Sequence, residues 1–85
     1  MRIKLLFFAS LREQLGIAGE ELDLPAEVST VGALRAHLRQ RGPAWQAALA
    51  EGRLVRTALN QSMAAPSATI AAGDEVAFFP PVTGG

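Results

Sequence analysis

The sequence contains no cysteine and no tyrosine, a single tryptophan and a single histidine, and eight Lys and Arg balanced by eight Asp and Glu. Without cysteine there is no disulfide, no thiolate-held metal and no side-chain sulfur nucleophile. Balanced charge leaves no electrostatic footprint for nucleic acid or an anionic membrane, so neither is an expected partner. Long apolar runs are also missing. Leu5–Ala9 is followed directly by Ser10 and then by the polar Arg12-Glu13-Gln14, short of the roughly seven apolar residues of a signal-peptide core. Nothing approaches the roughly 18 apolar residues of a bilayer span. A cytoplasmic location is expected.

Catalytic groups are equally scarce. With no second histidine and no cysteine, a metal site here would need carboxylates, and a cysteine-based hydrolytic triad would lack its nucleophile. No metal is expected, and His37, close to the apolar stripe Val31/Leu34/Leu38, reads as a boundary residue. Asp74 and Glu75 are adjacent, so in a strand they point to opposite faces and cannot act as a paired acid and base. They read as turn and edge residues. No glycine-rich phosphate loop is present.

What is present is a globular composition, 49 % hydrophobic over 85 residues, enough for one domain with a modest core. Arg2–Phe8 reads as a strand, with Ile3, Leu5 and Phe7 facing one way and Lys4, Leu6 and Phe8 the other. Ser10-Leu11-Arg12-Glu13 has capping-box spacing, which predicts a short helix starting there and ending at Gly16. Glu21–Leu24 alternates as a second strand before Pro25. Ser29 or Thr30 caps the main helix, terminated by Gly42-Pro43; Pro43 opens a second short helix with Trp45, Ala48 and Leu49 inward, ending near Gly52. Leu54–Leu59, Ser62–Ala64 and Glu75–Phe79 complete the strands, with a turn at Asn60-Gln61. A helix across one face of such a mixed sheet buries the apolar faces of both. With the first and last strands parallel in the middle, the expected fold is α+β, a ubiquitin-like β-grasp over residues 1–79.

Residues 80–85 form the remainder, an extended tail. Pro80-Pro81 cannot continue a ladder and favours a stiff polyproline conformation. From Pro80 through Val82 and Thr83 to Gly84-Gly85, such a segment reaches on the order of 20 Å. Glycines lack a Cβ and pass a narrow channel. The expected reactive group is the Gly85 carboxylate, activated as an acyl-adenylate. The absent cysteine fits, because no thiol of the chain's own intercepts the activated carbonyl.

These residues resemble the MoaD family, the small sulfur-carrying subunits of molybdopterin synthase. The resemblance is carried most specifically by Gly73–Gly85, and also by Ile3–Ala9 with Leu11-Arg12-Glu13, Thr30-Val31 with Ala33-Leu34-Arg35, and Ala58–Gln61. It implies that an E1-like adenylyltransferase using ATP and magnesium activates Gly85. A sulfur donor protein then makes the thiocarboxylate, and the large synthase subunit accepts the tail in a heterotetramer. Sulfur passes to a pyranopterin precursor. Catalytic side chains are expected in the large subunit, with no cofactor bound by this chain. The resemblance further implies that Phe8, Met63 and Phe79 form an apolar docking patch, although alternation alone leaves Phe8 and Phe79 free to lie in the core. Other readings of the tail are a carrier for thiamine or cysteine synthesis, which the Phe-Phe-Pro-Pro lead-in disfavours, a ubiquitin-like modifier joined to lysines through Gly85, and an interaction domain whose glycines are incidental.

Overall fold

The computed structural model describes residues 1–81. The elements run β1 (Arg2–Phe7), α1 (Ala9–Leu15), β2 (Gly19–Asp23), α2 (Val31–Arg39), α3 (Pro43–Ala48), β3 (Arg56–Leu59), β4 (Ser62–Met63) and β5 (Glu75–Phe79). The strands form one mixed sheet in the order β2-β1-β5-β3-β4. β1 and β5 pair in parallel, and every other pairing is antiparallel. This is the ubiquitin-like β-grasp arrangement. Among the described residues, no helix is long and apolar enough to cross a membrane.

One face of the sheet builds the core. Ile3, Leu5 and Phe7 of β1 and Val76 and Phe78 of β5 are almost wholly buried with Leu34 and Leu38 of α2, Leu11 of α1, and Ala48 and Leu49 at the end of α3. Phe7 stacks on Phe78 and meets Trp45 edge-on at 5.5 Å between centroids, a geometry that adds to simple area burial. The guanidinium of Arg41 covers the outer side of Trp45 at 4.7 Å. Two-residue alternation in β1 and β5, and the i, i+3, i+7 spacing of Val31, Leu34 and Leu38, bring these side chains to one layer.

The caps hold the helices in place. Thr30 accepts a hydrogen bond from the Ala33 N–H through Oγ1 at 3.2 Å, as an N-cap should. The first turn of α2 is satisfied from outside: the N–H groups of Val31 and Gly32 donate to the carbonyls of Ala68 and Pro66. Arg35 of α2 donates to the carbonyls of Leu49, Ala50 and Arg53, where α3 has ended. One side chain thereby ties α2 to the segment that follows α3. Burial lowers the Arg35 pKa, with repulsion from Arg39 adding to it. Every buried side-chain polar atom among the described residues has a partner.

Three expectations change. Ser10 is not a cap: Phe8 occupies the N-cap position of α1 with no side-chain hydrogen bond, and Ser10 lies inside the first turn. The chain swings from β1 into the helix at Ala9, with φ 53°. Ser10 therefore lacks the extended backbone from which a capping oxygen reaches forward. Glu75 is no edge residue, because β5 is the central strand. The segment Leu54-Val55 precedes β3, which starts at Arg56, and Leu54 is 80 % exposed. The other end of α1 behaves as expected, with Gly16 left-handed at φ 72° and its N–H donating to the Arg12 carbonyl.

Candidate functional site

The second face of the sheet carries no helix. Cross-strand pairing lines up Leu6 with Ala77, Ala77 with Ala58, and Ala58 with Met63. Toward the end of β5 the next row holds Phe79 opposite Arg56. Phe8, just past β1, joins it by donating its N–H to the Phe78 carbonyl at 3.2 Å. Toward the start of β5, Lys4 lies between Glu21 and Glu75. The face is thus apolar in the middle and polar at its margins.

Its apolar middle is concave. A cavity of about 530 Å³ is lined by Leu6, Phe8, Ala9, Ala58, Ala77 and Phe79, with Pro80, Gln61 and Glu75 at its margin. The alanines make a shallow floor because they project one carbon from the sheet. The two phenylalanines make walls. Phe8 is 45 % exposed and Phe79 is half-buried, so neither belongs to the core. An uncovered apolar depression of this kind on a small domain is a candidate recognition surface.

Met63 sits apart from that cavity. It shares the cross-strand row of Ala58 and is 60 % exposed, but it lines a second depression of about 220 Å³ with Val31, Val55, Arg56 and Pro66. The structure therefore joins Phe8 and Phe79 in one hollow and sets Met63 beside it. Leu6, Ala58 and Ala77 were missed by sequence reasoning. The signal for two of them was available in the alternations Leu6/Phe8 and Ala77/Phe79, whereas Ala58 becomes visible only through its register with Ala77.

A hydrogen-bonded knot fixes the sheet beneath the site. Asn60 and Gln61 both have positive φ, 51° and 69°, as the two-residue hairpin between β3 and β4 requires. The Asn60 amide donates to Asp74 Oδ1 at 3.0 Å, its Oδ1 accepts from the Glu75 N–H at 3.0 Å, and Asp74 Oδ2 accepts from the Ala71 N–H at 2.8 Å. The Ala71 bond, followed by that of Asn60, lowers the Asp74 carboxyl pKa. The residues that end one hairpin thus set the start of the central strand.

Pro80 and Pro81 follow β5 outside the ladder and are half-buried. Val82, Thr83, Gly84 and Gly85 lie outside the described residues. His37 is half-buried on α2 and lies beside a depression with Pro25, Val28 and Ala33, away from the uncovered face. Among the described residues, no group of three or more His, Cys, Asp and Glu side chains is arranged to hold a metal ion.

The sequence pattern of the ThiS family matches residues 5–85. The molybdopterin synthase sulfur carrier subunit of Escherichia coli is 46 % identical over 83 residues, covering 98 % of this chain and 99 % of that protein. Its counterpart in Haemophilus influenzae is 42 % identical over the same length and coverage. The crystal structure of SAMP1 from Haloferax volcanii superimposes with a TM-score of 0.80 at 32 % identity, with both chains covered completely. The chain belongs to the ThiS family and, within it, to the MoaD group of molybdopterin synthase sulfur carrier subunits.

Proposed function

We propose that this chain carries sulfur on Gly85 for molybdopterin synthesis, docking through its uncovered apolar face onto the partner that receives its tail. One coincidence carries the reading. The cavity walled by Phe8 and Phe79 has Pro80 at its margin, so the surface suited to recognition adjoins the origin of the Pro-Pro-Val-Thr-Gly-Gly segment. Near full-length similarity to two sulfur carrier subunits supports the same reading.

The chemistry belongs to the carboxylate. In its ionised form it is a poor acceptor, and an E1-like enzyme overcomes this by letting it attack the α-phosphorus of ATP, with magnesium, releasing pyrophosphate. The acyl-adenylate then loses AMP to the sulfur of a donor protein's persulfide. A thiol reductant cleaves the resulting acyl disulfide and leaves the thiocarboxylate. The large synthase subunit accepts the tail and supplies the side chains that pass sulfur to the pyranopterin precursor. This chain contributes position: its sheet sets where the tail begins, and its apolar hollow sets which partners can hold it.

The test is the intact mass of the full-length protein after incubation with the host's E1-like enzyme, ATP, magnesium and a persulfide donor, with and without Gly85. A gain equal to replacing one oxygen by sulfur, lost when Gly85 is deleted, is the expected result. Retained loading in the truncated, folded protein overturns the proposal, and Gly85 found in isopeptide linkage to lysines favours the modifier.

A further inference from the structure

Arginines are mostly committed in this protein. Arg2 pairs with Asp23 and Arg41 with Glu20. Arg35 and Arg39 donate to the carbonyls past α3, and Arg53 to Gln14. Arg12 and Arg56 have no side-chain hydrogen bond or ion pair among the described residues, and both are exposed; Arg12 lies on α1, whereas Arg56 is in the sheet itself. The position of Arg56 is specific. The register sets it directly opposite Phe79, and the buried Thr57 beside it fixes the alternation that sends Arg56 to the uncovered face. It also lines the depression that contains Met63. Arg56 therefore lies between Phe79 and Met63, at the end of the sheet where the tail departs.

The charge around it is one-sided. Glu75 and Glu21 flank Lys4 at the opposite margin, four residues along β5 and so roughly 13 Å away. Among the described residues, nothing acidic occupies the row of Phe79 and Arg56. A guanidinium beside an apolar wall is suited to a planar carboxylate, which it grips with two parallel hydrogen bonds while the neighbouring aromatic excludes water.

We propose that Arg56 is a specificity-determining residue of the docking surface, pairing with an Asp or Glu carboxylate that the tail-accepting large subunit presents beside the mouth of its tail channel. The inference rests on the docking reading above and adds a charge to an interface otherwise held by apolar contact. The apolar hollow holds the partner, and the Arg56 pair sets its rotation about the axis of the tail. Without that pair, a partner seated on the hollow alone is free to turn and the tail loses its aim.

The experiment measures binding of the full-length protein to the large subunit of the same organism at low and high ionic strength. The variants are Arg56→Lys, Arg56→Gln and Arg56→Glu, with Phe79→Asp as the interface control and circular dichroism as the check of fold. At low salt, Arg56→Glu weakens binding about tenfold or more, Arg56→Gln less, and Arg56→Lys least, with the differences shrinking at high salt as expected of an interfacial charge pair. If Phe79→Asp loses binding while all three Arg56 variants stay within about twofold of the parent at both salts, less than a lost interfacial charge pair costs, Arg56 has no such partner and the inference falls alone. If the unaltered protein does not bind the large subunit, the docking reading falls and takes the inference with it.

Discussion

The two faces of this sheet are built from the same strands and nearly the same residue types, yet they do opposite things. On the helix side, Phe7, Phe78 and Leu34 are fully buried, whereas on the other side Phe8, Phe79 and Met63 keep contact with solvent. Phe78 and Phe79 are neighbours in sequence. A single step of the strand pleat separates a side chain that maintains the fold from one left facing solvent. In a chain this small, apolar area withheld from the core weakens an already modest stability. Its retention at the base of the tail points to recognition.

The largest expected effect breaks that comparison at Phe78. Replacing it with alanine empties a closely packed site and lowers unfolding free energy by about 4 kcal/mol, measured by urea denaturation. Phe79→Ala, one residue on, costs clearly less, about 1 kcal/mol, in line with its partly buried position on the uncovered face. Equal losses in the two variants would mean that both faces support the fold.

In binding the order reverses. Phe79→Asp weakens capture of the large subunit by more than about 2 kcal/mol, the range of a buried aromatic anchor. An unchanged dissociation constant with the fold intact removes Phe79 from the interface.

Helix caps give a smaller contrast. Thr30→Ala costs about 1 kcal/mol, because the Ala33 N–H loses its acceptor. Ser10→Ala lies within about 0.5 kcal/mol of the parent, because Ser10 is an exposed residue inside α1. A loss at Ser10 matching that at Thr30 would restore the capping box.

That pair also shows what the sequence makes legible. Val31, Leu34 and Leu38 announce themselves because a periodic stripe has a single helical interpretation, and Glu75–Phe79 does so as a short apolar run bounded by Gly73-Asp74 and Pro80-Pro81. Ser10 misleads because a capping box is a local pattern, while the start of α1 is set by the reversal at Ala9 that follows a strand end. Ile70 and Val28 are core residues set in irregular segments. A lone apolar residue in a loop has no period to reveal it. The segment around Ile70 is held by pairing of Thr69 with Thr30 and by bonds to the first turn of α2, contacts that sequence spacing cannot display. The apolar hollow was half legible: its phenylalanines stand out, but its alanine floor depends on register across three strands.

The smallest effect separates two carboxylates at the margins of the sheet. Asp23 and Asp74 both have lowered pKa values, Asp23 through the hydrogen bond and charge of Arg2, Asp74 through the Ala71 N–H and the Asn60 amide. A carboxyl whose folded pKa is depressed contributes stability that is present above its unfolded value of about 3.9 and is lost as pH falls through the folded value. Stability should therefore decline on acidification below about pH 4, and Asp23→Asn and Asp74→Asn should each flatten the decline. Salt distinguishes them. The Arg2–Asp23 pair is exposed at the margin of the sheet, so molar salt, with a Debye length of about 3 Å, removes much of its share. The share of Asp74 persists, because it comes from short hydrogen bonds to an N–H and an amide that carry no net charge. If molar salt abolishes the Asp74→Asn difference in acid denaturation, the carboxylate acts through long-range charge, and the knot at the start of β5 is not what holds it ionised.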